Sequence, residues 1–211
     1  MKAIHIIISL LLSTFSALSQ NAADILERAA SAYRNSNGIS ASFSMRAISP
    51  TGTTTDSSEG TIDMKGDKFT LVASDIKTWY DGKTQWVYVE PANEVNISSP
   101  AGEDLQLTNP AILLRDYRMG YVSRYTGEAT GANGKSIQNV ELQPKNKSDI
   151  TKITLQIEKT SSLPIHIQLE MKNGNRSVIQ ISNIRTGVNR PDDYFTFRQS
   201  NYPGVETIDL R

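Results

Sequence analysis

The chain has no cysteine among its 211 residues. No disulfide can staple it, no thiolate can serve as nucleophile or metal ligand, and no acylated cysteine can anchor it. Whatever fold forms must rest on its own apolar core. Histidine is almost as scarce, with two copies. His5 falls in an apolar leader, so His166 alone is left for a Ser-His-Asp set or a zinc site. It stands mid-strand among polar neighbours, where an exposed strand histidine is the plain reading. No metal site, no cofactor and no enzyme are therefore expected. Neither sign of charge dominates, with 22 Lys+Arg against 22 Asp+Glu, and loss of Lys2 with the leader shifts the balance by one negative unit. That argues against nucleic acid, which clustered cations hold through phosphates. It argues equally against a strongly basic membrane-surface binder. Nor does any stretch reach the roughly 20 apolar residues of a transmembrane helix.

The longest apolar run, residues 3–12, follows Met1-Lys2 and precedes Ala17-Leu18-Ser19. A short positive start, an apolar centre and small residues before a cut form a secretory signal. The expected division is a signal peptide at 1–19 and a single domain at 20–211, about 190 residues.

Within that domain, 21–35 reads as an amphipathic helix. Ala22, Ile25, Leu26, Ala29, Ala32 and Tyr33 fall on one stripe, and Gly38 is placed to end it. Alternating segments then take over. Ile39, Ala41, Phe43 and Met45 share one face, Ile62 and Met64 another, Phe69 and Leu71 a third. Both tryptophans, Trp79 and Trp86, lie in one hairpin around Asp81-Gly82-Lys83, with Tyr80 and Tyr88 beside them, in a chain only 7% aromatic. Asn109-Pro110 is a helix start followed by Ala111, Ile112, Leu113 and Leu114. Later strands include one with Ile153, Leu155 and Ile157 on one face. A hairpin about Asn173-Gly174 sends Ile165, Ile167, Leu169 and Met171 one way. The pattern predicts roughly ten or eleven antiparallel strands, mostly with one apolar face. Such a sheet must curl or be covered, and two helices are available as covers.

Candidate chemistry is thin. Asp81-Gly82-Lys83 is a turn, the Gly131–Gly134 stretch precedes a strand and makes no phosphate cradle, and Asp192-Asp193 reads as a cap or turn. What remains is an apolar and aromatic surplus, which fills a β-core or lines a cavity.

The order of motifs goes further. ASFSM follows the first helix, a strand ends in KFTL, and YDGKTQWVYVEPANEV follows. NPAILL and finally FTF with PGVETIDL complete the series. Over essentially the whole domain this resembles the periplasmic lipoprotein carrier family, LolA-like proteins. The resemblance implies a mainly β fold with an α lid: a half-open, incomplete antiparallel β-barrel covered by short helices over a hydrophobic cavity. It implies a periplasmic, monomeric carrier of acylated lipoproteins. Such a carrier is loaded by an inner-membrane lipoprotein-releasing ABC transporter and unloads to an outer-membrane acceptor. The cavity residues it implies are Phe43, Met45, Ile62, Met64, Phe69, Leu71, Trp79, Trp86, Tyr88, Ile112, Leu113 and Leu114, with Phe69 foremost; Phe69→Glu is expected to spare folding and impair acyl binding. Where the family often has an Arg-Pro pair that latches the lid, this chain reads Met64-Lys65-Gly66-Asp67. Lys65 and Arg46 are the candidate substitutes for the latch. An alternative is a module of the same fold that binds or senses another amphiphile or a glycolipid; a filled β-core with no ligand also stays open.

The physics suits a carrier. Each buried methylene is worth about 0.8 kcal/mol, so three chains of about fifteen methylenes amount to roughly 36 kcal/mol against water. Amino-terminal sequencing of the exported chain should begin at Gln20; a start at Met1 in the exported fraction would refute the assigned leader.

Overall fold

The computed structural model describes residues 21–101, 110–131 and 134–211. The expected leader, its cut after Ser19 and the Asn109 cap lie outside the described residues.

Helix α1 occupies 21–35. Its stripe buries Ala22, Ile25, Leu26 and Ala29 almost completely. Asn37 and Gly38 end it with left-handed φ values of 51° and 98°. Gly38 is needed for space as well as for φ, since a Cβ there would lie 2.3 Å from the Val188 carbonyl oxygen. Helix α2 spans Pro110–Gly120.

Six strands lie between the helices: β1 (Ile39–Ile48), β2 (Thr54–Lys65), β3 (Lys68–Ala73), β4 (Ile76–Tyr80), β5 (Gln85–Val89) and β6 (Glu94–Ser98). Six follow: β7 (Tyr121–Thr130), β8 (Ser136–Pro144), β9 (Ile150–Glu158), β10 (Pro164–Met171), β11 (Arg176–Thr186) and β12 (Glu206–Asp209). All belong to one sheet in the order β12-β6-β5-β4-β3-β2-β1-β11-β10-β9-β8-β7. Neighbours are antiparallel except β12, which runs parallel to β6. Strands β7 and β12 stand at opposite ends of the order and do not pair, so the sheet is an open, half-closed barrel. Among the described residues it has twelve strands, where the alternation predicted ten or eleven.

Cross-strand rows assign the two faces. One row runs Met64, Phe69, Tyr80, Gln85; the next Ile62, Leu71, Thr78, Val87. On the far side of β1, Met45 meets Ile179, and Ile179 meets Ile167 and then Leu155. These side chains form the concave face, and both helices sit on it. α1, with Leu113, Leu114 and Tyr117 of α2, packs on Val140, Leu142, Ile153, Leu155 and Ile157. A second cluster gathers Ile39, Ala41, Ile62, Met64, Phe69 and Tyr80 around Ile112.

The opposite row, Asp63, Thr70, Trp79, Trp86, Ile97, faces outward. The segment after β11 crosses it as a strap. Phe195 of the strap is fully buried. Tyr194 donates its hydroxyl to Asp63 Oδ2 at 2.7 Å, and its carbonyl oxygen accepts from Thr70 Oγ1 at 3.1 Å. Burial first, then that bond to Asp63, pushes the Tyr194 phenol up to about 12.

Gly60 of β2 lies opposite Phe43 and Ala73. A Cβ there would stand 2.0 Å from the Val72 carbonyl oxygen, a backbone atom that cannot swing away. Gly60→Ala is therefore expected to destabilise the fold by about 1–3 kcal/mol, read as a lower denaturant midpoint at unchanged slope. An unchanged midpoint would mean that β2 and β3 tolerate the displacement.

Candidate functional site

Between the strands of β1–β4 and the helices lies a cavity of about 210 Å³. Phe43, Met45, Ile62, Met64, Phe69 and Leu71, all singled out by alternation, line it together with Leu113 of α2. Strand pairing brings them together, since Ala41 faces Ile62, Ile62 faces Leu71 and Met64 faces Phe69. Among the described residues no lining side chain is charged. Thr78 and Gln85 from the strands and Tyr33 from α1 supply the polar atoms.

The remaining wall was not identified from sequence as cavity. Ile167, Leu169, Ile179 and Ile181 come from β10 and β11, Leu163 from the turn before them. Their alternation was visible; that β1 would pair with β11, from the far part of the chain, was not.

Several expected site residues lie elsewhere. Trp79, Trp86 and Tyr88 occupy the outward face. Trp79 packs edge-on against Phe197 and Tyr202 of the strap, with ring centroids 5.4 and 5.7 Å away. Tyr88 lies 4.5 Å from Tyr202, and Lys77 Nζ lies 4.8 Å over the Trp79 ring. The reason is parity. The hairpin closes with Tyr80 opposite Gln85, which turns Tyr80 inward onto Phe69 and both tryptophans outward. Ile112 and Leu114 are buried in the two core clusters and do not line the cavity. Phe69 lines it but is only 1% exposed, so Phe69→Glu would bury a charge in the core and threaten folding. Leu71, half-buried, is the cleaner probe.

The two candidate latch residues are also displaced. Arg46 is exposed on the outward face. Lys65 donates to the Arg190 carbonyl oxygen and to Asp192, both at 3.1 Å, so it ties down the strap. Lys68 and Lys65 together hold the Asp192 carboxyl below its ordinary range. The lid is instead tied by its own residues. Arg115 of α2 donates to Asp67 in the β2–β3 turn at 2.5 Å and pairs with Asp116. Arg118 reaches Glu27 of α1 at 3.2 Å, and the Tyr117 hydroxyl donates to the Ala23 carbonyl oxygen at 3.3 Å. Asp67 lies in the Met64–Asp67 stretch where the resemblance placed the latch, and here it is the acceptor for an arginine of the lid.

His166 Nδ1 lies 3.1 Å from Gln180 Oε1. No group of three or more metal-ligating side chains exists among the described residues. No helix among them is long and apolar enough to cross a membrane.

Sequence and fold comparisons agree with this architecture. A family model described as "Outer membrane lipoprotein carrier protein LolA" matches residues 12–175. No curated protein matches the chain. Among solved structures it is similar to an uncharacterized conserved protein from Thermus thermophilus, at 12% identity and TM-score 0.61, over 88% of this chain and 97% of the other. A DUF1329 family protein from Desulfovibrio piger is 16% identical at TM-score 0.51, over 88% of this chain and 99% of its own. A LolA superfamily protein from Nitrosomonas europaea is 16% identical at TM-score 0.47, over 83% and 97%. At such identities the first two likenesses speak to the fold alone.

The Arg115–Asp67 pair is about half exposed on both sides, so its worth to stability is small, about 0–1 kcal/mol. Its effect on lid opening is separable from that. Arg115→Ala should leave the unfolding midpoint nearly unchanged and speed hydrogen exchange in α2, whereas Arg46→Ala and Lys65→Ala should leave α2 exchange alone. Equal exchange in wild type and Arg115→Ala would remove the pair from the lid's fastening.

Proposed function

The chain belongs to the LolA outer-membrane lipoprotein carrier family; on that premise we propose that it binds the acyl chains of lipoproteins in the cavity under α2. It would then shuttle them across the periplasm as a monomeric, non-enzymatic carrier. In this reading residues 1–19 direct export and 20–211 form the carrier. An inner-membrane ABC transporter loads it and an outer-membrane acceptor empties it. The observation that carries the proposal is the cavity's lining, overwhelmingly apolar and uncharged. A chain of methylenes finds dispersion contacts along that lining and, among the described residues, no charged group that must be left unpaired.

Binding and release both follow from this lining. An acyl chain gains affinity per methylene and meets no charged anchor among the described lining residues, so it is shielded without being trapped. Met45 and Met64, with unbranched and polarizable side chains, adapt to chains of differing shape. The cavity volume of about 210 Å³ lies under the roughly 300–1,000 Å³ of common ligand pockets. A multi-chain lipid is taken up if α2 lifts; the exposed ion pairs at the rim add little to that cost, and the apolar contacts that α2 gives up are replaced by contacts with the lipid.

The same small volume favours a second reading, in which the occupant is a lighter amphiphile or glycolipid of the envelope. Mass spectrometry of ligand extracted from the native protein separates the two.

Native mass spectrometry with a triacylated lipopeptide should show a one-to-one complex, and the same peptide without acyl chains should show none. Leu71→Glu should fold normally and lose the complex. Failure of wild type to take up the acylated peptide, or undiminished uptake by folded Leu71→Glu, would overturn the proposal.

A further inference from the structure

Tyr33, in the last turn of α1, borders two cavities at once. One is the apolar cavity beneath α2. The other, about 90 Å³, is rimmed by Arg34, Ser36, Asp67 and Arg115, polar groups at the junction of α1, α2 and the β2–β3 turn. The two cavities share Tyr33, Ile39 and Met64. Of these, Tyr33 alone has a side-chain hydrogen-bond donor.

The surroundings leave that group unused. The Tyr33 backbone carbonyl accepts from Ser36 N at 3.2 Å and Ser36 Oγ at 2.7 Å. The ring packs against both core clusters. The phenol hydroxyl has no hydrogen-bond partner among the described residues. Tyr33 is only half-buried, so its hydroxyl is not sealed in the core and stands free to donate to a ligand at this junction. Burial also holds the phenol above its ordinary pKa, so it remains a protonated donor throughout the physiological range.

An amphiphile seated across this threshold has its chain on the apolar side and its polar head at the rim. The atom between them is the carbonyl of the acyl linkage, an acceptor with no hydrogen of its own. We propose that the Tyr33 hydroxyl donates to this linkage carbonyl, making Tyr33 the residue that distinguishes acylated ligands from plain alkyl ones and fixes how deep the chain enters. The inference rests on the acyl-binding reading above and adds a chemical preference that an apolar cavity alone would not have.

Two matched ligand pairs test it. One is a diacyl lipopeptide with its dialkyl-ether analogue; the other is a single-chain acyl lysophospholipid with its alkyl-ether analogue. Each pair differs only in the carbonyl, and the two pairs separate a lipoprotein source from a phospholipid source. Wild type should bind the ester of at least one pair roughly two- to tenfold more tightly than the ether. Tyr33→Phe, which keeps the ring and its packing, should bind both members equally, at the wild-type ether affinity and with an unchanged unfolding midpoint. An ester preference that survives in Tyr33→Phe, or is absent from wild type in both pairs, overturns the role of Tyr33 while leaving acyl binding intact. Binding of none of the four ligands by wild type overturns the acyl-binding reading and this inference with it.

Discussion

Much of this molecule follows from a mismatch between a wide sheet and the helices that must cover it. Twelve strands at about 4.8 Å spacing make a sheet roughly 50 Å wide. The two helices among the described residues, each about 10 Å across, cover roughly 20 Å of that width. Curling the sheet around α1 and α2 recovers part of the difference, and β8–β10 are filled this way by Ile25, Leu26, Leu113 and Tyr117. Strands β1–β4 receive Ile112 of α2 and Tyr33 of α1 against their own cluster. Beside these contacts Phe43, Met45 and Leu71 face the cavity. The cavity thus lies where the cover by the described helices is thinnest.

The forces that close the cavity differ in kind from those that build the wall. Buried α2 residues such as Ile112 and Leu114 contribute about 1.5–3 kcal/mol each through apolar burial. The ion pairs at the lid's rim, Arg115–Asp67 and Arg118–Glu27, are exposed and contribute far less. Closure is therefore chiefly a matter of apolar contact, and an apolar occupant offers the strands the same contact that Leu113 now provides. The exchange of one for the other is nearly balanced, which a lid over a transient ligand needs.

Alternation made the inward set Phe43, Met45, Ile62, Met64, Phe69 and Leu71 legible, because each pair two apart must share a face. It did not say which face of the next hairpin matched. That depended on the turn residues Asp81–Thr84, setting Tyr80 against Gln85. One residue of register turns a whole strand over, and Trp79, Trp86 and Tyr88 accordingly went to the wrong side of the wall. The lid's fastening was illegible for another reason: Arg115 and Asp67 are 48 residues apart and meet only once α2 is docked. The strap was hidden likewise, since nothing in Tyr194, Phe197 or Tyr202 alone announces β2–β5 as their partner.

The outward placement of both tryptophans has a practical side. They are the chain's strongest fluorophores, and the sheet lies between them and the cavity, with Trp79 under the carboxy-terminal strap. The emission of Trp79 is thus set by Phe197, Tyr202 and Lys77, and by whether the strap is seated. Ultraviolet spectroscopy of this protein reads the back of the wall. An occupant entering from the front would leave the signal silent unless the sheet itself deforms, so a change in tryptophan emission is a gauge of strain passed through the barrel rather than of contact with a ligand.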